Sequence, residues 1–196
     1  MDLIKNFKNK FRTNYARAKA ERSEFLSKVN PFSPAAMVAT WFGCGLLLPG
    51  PGTWGTVGGF LSLSAVHLIS FPTQSELNLF MLSVSLILFI AGWFATSAIE
   101  KKTGTHDLSL IVIDEVAAVW MLATFMPIIL YDLNWALAAF VIFRIFDIWK
   151  PWPIKWADRR VQGAWGVMLD DLLAAVYSYI VLLFALMSLF FVSPEL

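Results

Sequence analysis

Charge is scarce in this chain of 196 residues: Asp, Glu, Lys and Arg together make up 15% of it, against about 25% in soluble domains. Cysteine is nearly absent. The lone Cys44 excludes an internal disulfide and a cysteine-rich metal cluster, and it reads as a small buried apolar residue. Histidine is almost as rare, with only His67 and His106. Neither sign of charge dominates. The net charge of +1 gives no reason to expect a nucleic-acid partner. Apolar residues are abundant at 58%, more than the roughly 45–50% of soluble domains. A soluble core of this size cannot use that much apolar surface, so lipid is the expected solvent.

The few charges are not scattered. All fifteen Lys and Arg fall in three clusters: Lys5 to Lys28, Lys101 with Lys102, and Arg144 to Arg160. The first 30 residues hold eight of them and no long apolar run, which does not fit a cleavable signal peptide. In that segment Leu3, Phe7, Phe11 and Tyr15 recur every four residues between basic ones. The spacing predicts a basic amphipathic helix over 1–30 lying on an anionic membrane surface. Residues 31–196 form a single membrane-embedded domain in this reading.

Pro31 and Pro34 end the first helix. The apolar stretch 35–48 reads as a partly inserted or re-entrant piece. It breaks at Pro49-Gly50-Pro51-Gly52-Thr53-Trp54-Gly55-Thr56, a glycine-rich turn, and 57–71 reads as a short span. Residues 77–99 carry no charge and form the clearest span. Residues 108–131 are apolar except for Asp114 and Glu115, and 133–149 except for Arg144 and Asp147. Residues 172–192 make the last span. The fold class expected is an all-α integral membrane protein of about five transmembrane helices, with the interfacial helix and the re-entrant turn in addition. Placing 1–34 inside puts every basic cluster in the cytoplasm. The outer loops, including 193–196, then hold no Lys or Arg.

The same topology brings the acids together. Asp107, Asp114, Glu115, Asp147, Asp158, Asp170 and Asp171 all fall on the cytoplasmic side. An acid at membrane depth is costly unless paired or solvated. Pairing of Asp147 with Arg144 or Lys150 would account for one acid, and capping of the last helix for Asp170 and Asp171. A cluster this large repels itself and calls for a hard divalent cation with oxygen ligands, of which magnesium also bridges to phosphate. Arg144, Asp147 and Lys150 are spaced three residues apart, on one helix face, beside those acids. Gly50, Gly52, Gly55, Thr53 and Thr56 open a helix whose N–H groups suit an anion; a re-entrant turn that needs glycine explains them equally well. His106 beside Asp107 is a base or a metal ligand, or an ordinary loop histidine, and His67 reads as structural.

Four blocks in this order resemble the phosphatidylglycerophosphatase A family over roughly residues 30–190. They are Pro49 to Thr56; Ile111-Val112-Ile113-Asp114-Glu115; Phe143 to Ile154 with Asp158 following; and Gly163 to Asp171. Ala118 and Ala175 stand where the family usually has glycine, and Thr56 where serine is common, all small-for-small changes. The resemblance implies magnesium-dependent hydrolysis of phosphatidylglycerol phosphate to phosphatidylglycerol and phosphate, in phospholipid biosynthesis at a bacterial inner membrane. It implies Asp114, Glu115, Asp147, Asp170 and Asp171 as metal ligands, with Asp114, Glu115 and Asp171 also catalytic. Arg144, Lys150, Gly52, Thr53, Gly55 and Thr56 would bind the substrate phosphate. The partner expected is the phospholipid substrate; no obligate protein partner is indicated. The alternative from another class is a small ion or metabolite transporter, for which a broken helix and buried acids would also serve.

Overall fold

The computed structural model describes residues 2–106 and 108–192, with side chains for 12–189 other than 107. Asp107, residues 193–196 and the side chains of Leu3, Phe7 and Phe11 lie outside the described residues. Among the described residues every regular element is a helix.

The basic N-terminal segment is one helix, α1 (Asp2–Lys28). Its described half does not use the expected apolar stripe: Tyr15 is exposed, while Ala18, Phe25 and, just past the end, Val29 are buried. Spacings of seven and four put these three on one face, which docks on the rest of the protein. Next come α2 (Pro34–Ala39) and a reversal through Trp41, Phe42 and Gly43, all three in left-handed conformation. Within 35–48 the α-helix therefore covers only 35–39, about 7.5 Å of rise, before the chain turns back through the reversal into a single 3-10 turn, Cys44–Leu46.

Helix α3 (Pro51–Leu63) starts where the sequence predicts a turn. Gly50, at φ 75°, is its N-cap, and Pro51 takes the first helical position, where its missing N–H costs nothing. The turn proper ends at Gly50, and Gly52 to Thr56 form the first turns of the helix. The long apolar run becomes α4 (Gln74–Thr103). The Thr73 hydroxyl caps it by accepting from Glu76 N at 3.2 Å, and Gly104, at φ 73°, ends it.

The span expected over 108–131 is divided into α5 (Ile113–Phe125) and α6 (Ile128–Tyr131). Pro127 has no N–H to continue the ladder, so the helix stops at Met126. Helix α7 (Leu133–Trp149) matches its expected bounds and is capped by Asp132 Oδ1, which accepts from Asn134 N and Trp135 N. A short α8 (Ile154–Arg160) follows. The last helix, α9 (Ala164–Val192), begins eight residues earlier than expected. Asp170 and Asp171 thus sit about two turns inside it and cannot cap it, because only the first four N–H groups of a helix are free.

Helix α5 is the axle of the bundle, packed by α3, α4 and α9. From Ile113 to Ala123 only Met121 escapes burial, as suits a helix apolar on every side. At Gly92 of α4 an added Cβ would come within 2.9 Å of both Ile113 and Met168, so three helices meet there without room for a side chain. Helices α4 and α9 are long and apolar enough to cross a membrane. Only 28% and 22% of their most apolar stretches are buried. Leu86, Ile87, Ile90 and Phe94 on α4, and Ile180 and Phe184 on α9, point outward.

Candidate active site

Successive long helices run in opposite directions, so the starts of α3, α5 and α9 meet the ends of α4 and α7. Gly52, Asp114, Asp170, Glu100 and Asp147, one from each of these five helix ends, line one cavity of about 600 Å³. Its acids are unusually sequestered. Asp114, Glu115, Asp170 and Asp171 are 9%, 7%, 5% and 4% exposed.

Three of them converge. Asp114, Glu115 and Asp171 each offer an oxygen, and these atoms lie within 4.8 Å of one another. Asp114 and Glu115 come from the first turn of α5, with Asp114 Oδ1 accepting the Glu115 N–H at 3.0 Å. Two unit charges at that separation repel by about 3–4 kcal/mol even at an effective dielectric near 20. The cations nearby do not cancel this. Arg144 Nη1 pairs with Asp147 Oδ2 at 2.6 Å and reaches Glu115 Oε1 only at 3.5 Å. Lys150 Nζ is held between Asp158, at 2.6 Å, and Asp170. Burial alone would lower the Lys150 ammonium, but Asp170, Asp158 and Asp171 outweigh it and hold it well above its ordinary value. Glu115 Oε2, Asp170 Oδ1 and Arg144 Nε are buried with no hydrogen-bond partner. An all-oxygen donor set with surplus negative charge and unpartnered buried atoms fits a hard divalent cation.

The expected site residues divide in two. Asp114, Glu115, Asp147, Asp170, Asp171, Arg144, Lys150 and Gly52 all line the cavity. Asp147 and Asp170 face their cation partners and stand apart from the close triad. Gly52 is close-set: a Cβ there would collide with Glu115 Oε1 and stand 3.2 Å from Arg144 Nη1. Thr56 lies one turn on, accepting from Arg144 Nη1 at 3.3 Å and donating to the Gly52 carbonyl at 2.9 Å. It acts behind the arginine and does not line the cavity. Thr53 is exposed, and Gly55 is small because a Cβ would strike Val112; neither lines the cavity.

Several lining residues carry no strong sequence signal. Glu100 ends the uncharged run of α4 and reads there as the edge of a span, yet it is buried, with Oε1 3.3 Å from His106 Nδ1. Arg17 and Arg159 also reach the rim. The second histidine is structural: His67 Nε2 bonds the Leu130 carbonyl at 2.8 Å, far along the bundle.

Comparison with known proteins identifies the family. The family model for phosphatidylglycerophosphatase A matches residues 37–186. A phosphatidylglycerophosphatase A of Haemophilus influenzae is 36% identical over 156 residues, covering 80% of this chain and 91% of that protein. The Escherichia coli protein of the same name is 39% identical over 158 residues, covering 81% and 87%. A Bacteroides thetaiotaomicron protein, 33% identical over 153 residues, 74% of this chain and 89% of its own length, has the provisional name of a phosphatidylinositol-3-phosphatase. No solved structure matches. The matched region holds all five cavity-lining helix ends and every acid of the triad, and the chain belongs to the phosphatidylglycerophosphatase A family.

Proposed function

We propose that this protein hydrolyses the phosphomonoester of phosphatidylglycerol phosphate, on the cytoplasmic side of a membrane that its helices span, with magnesium as cofactor. The observation that carries this reading is the buried triad Asp114, Glu115 and Asp171, short of positive charge and flanked by an arginine. These three residues would hold the cation. When bound, it supplies charge neutralisation and Lewis acidity at the phosphoryl group.

The chain's own groups do the rest. Arg144 is braced by Asp147, Glu115 and Thr56 in one orientation, so its guanidinium can clamp phosphoryl oxygens without reorganising. Gly52 leaves the approach to that clamp open. Lys150 anchors Asp170 through one oxygen, and the other, Oδ1, is free to take a proton from the attacking water. The water oxygen bonds to phosphorus, the bond from phosphorus to the glycerol oxygen breaks, and that oxygen takes up a proton from solvent to leave as the alcohol of phosphatidylglycerol, while Asp170 gives its own proton back to solvent. The acids gather at one end of the bundle, which leaves the transporter reading without support.

The outward apolar faces of α4 and α9 support insertion in lipid; a count of about five spans needs α7 as well, and α3 and α5 each crossing together with the short helical segment that follows it, Ser64–Leu68 and Ile128–Tyr131. The positive-inside rule supports a cytoplasmic site, because α1, the last turn of α4 and α8 carry most of the basic residues. A bacterial inner membrane is the corresponding setting.

The test is phosphate release from phosphatidylglycerol phosphate by the purified, detergent-solubilised protein. Release is expected with magnesium and not with excess chelator. Asp171→Asn should fall to background while melting like the parent. Absence of release by folded protein, or preferential release from phosphatidylinositol 3-phosphate, would overturn the substrate assignment.

A further inference from the structure

Helix α1 lies outside the matched region 37–186, yet it is built into the wall of the active-site cavity. Phe25 and Val29 are 1% and 2% exposed. Lys28 Nζ donates to the Thr103 carbonyl at 2.8 Å. Glu21 Oε2 accepts from Ser109 N at 3.0 Å and from Ser109 Oγ at 2.5 Å. Ser109 itself lines the cavity. One turn before Glu21, Arg17 lines it too. Among the described residues its ion pair is with Glu21, Nε to Oε1 at 3.5 Å, and its side chain is 68% exposed. A single exposed contact of this length holds an arginine weakly, and it engages only Nε, so most of the guanidinium's five donors are available.

We propose that Arg17 binds the phosphodiester of the lipid substrate at the rim of the cavity while the phosphomonoester occupies the inner site; this rests on the phosphatase reading above. A lipid with two phosphates needs two anion sites at different depths. The inner cations, Arg144 and Lys150, are largely buried among the acids of the inner site, at the level of the phosphomonoester. The diester is joined to the acyl chains and has to stay at headgroup level. A docked basic helix at the mouth of the cavity presents a cation there. A guanidinium fork also matches the two non-bridging oxygens of a diester, which an ammonium does not. The extension would thus add discrimination between a two-phosphate lipid and simple phosphomonoesters.

The experiment measures steady-state kinetics of the full chain in mixed micelles of phosphatidylglycerol phosphate with magnesium, and inhibition by inorganic phosphate, which has no diester. Arg17→Ala should raise KM by about fivefold with kcat unchanged, the size of one partly exposed charge pair. Inhibition by phosphate and the melting temperature should not move, and Arg17→Lys should recover part of the affinity. Lys19→Ala, which removes an exposed charge of the same helix away from the cavity, should leave KM alone. An unchanged KM in Arg17→Ala overturns the proposal. So does an equal loss of phosphate inhibition, an equal effect of Lys19→Ala, or a KM effect confined to Arg159→Ala. No turnover by the parent protein would instead bring down the phosphatase reading, and this inference with it.

Discussion

At the scale of single residues, the site depends on one missing side chain. Gly52 abuts Glu115 and Arg144, and the built position of an alanine Cβ overlaps the Glu115 carboxylate. Alanine suits a helix better than glycine by about 0.5–1 kcal/mol, so Gly52→Ala should fold well. It should still lower kcat/KM on the order of 100-fold, the cost of displacing reacting groups by about 1 Å. Kinetics beside a melting curve would check this; full activity would mean that Glu115 and Arg144 can move aside. The importance of position 52 was only partly legible in the sequence. Gly52 and Thr56 are a helical turn apart and face the arginine, whereas Thr53 and Gly55 are rotated off that face. A glycine-rich block does not tell which of its members faces the site until the helix start is fixed at Pro51. The acids were legible for the opposite reason: Asp114, Glu115, Asp147, Asp170 and Asp171 stand out against apolar neighbours. Glu100 and Arg17 sit among other charges, where exposure is the default, and the bond from Glu21 to Ser109 spans 88 positions.

At the scale of elements, long apolar runs predicted α4 and α7 well, because length and apolarity settle such helices. The element ends were less accessible. Pro127 cuts α6 from α5 inside a continuous apolar run, and α9 extends back to Ala164 through the polar pair Asp170 and Asp171. Those two acids looked like a helix start and are an interior pair whose oxygens face Lys150 and the triad. Packing between elements is tightest at Gly92, where α4, α5 and α9 touch. Gly92→Leu should destabilise the protein by about 1–3 kcal/mol through overpacking, read as a lower unfolding midpoint in detergent. An unchanged midpoint would show that α4 can shift against Ile113 and Met168.

At the scale of the whole molecule, the outer faces of α4 and α9 are apolar and the charged chemistry is confined to one end of the bundle. Proteins in water put their oily residues inside; here the central helix and the periphery are both oily, and charge marks a level along the bundle axis. That level has a kinetic consequence. On the proposed reading, a two-tailed substrate stays in the same bilayer plane as the enzyme, so the two would meet by lateral diffusion in a sheet. Their encounter rate is governed by how crowded that sheet is with substrate, whatever the volume of buffer around it. At fixed bulk amounts of enzyme and lipid, adding neutral detergent to thin out the sheet should slow the reaction, and adding buffer should not.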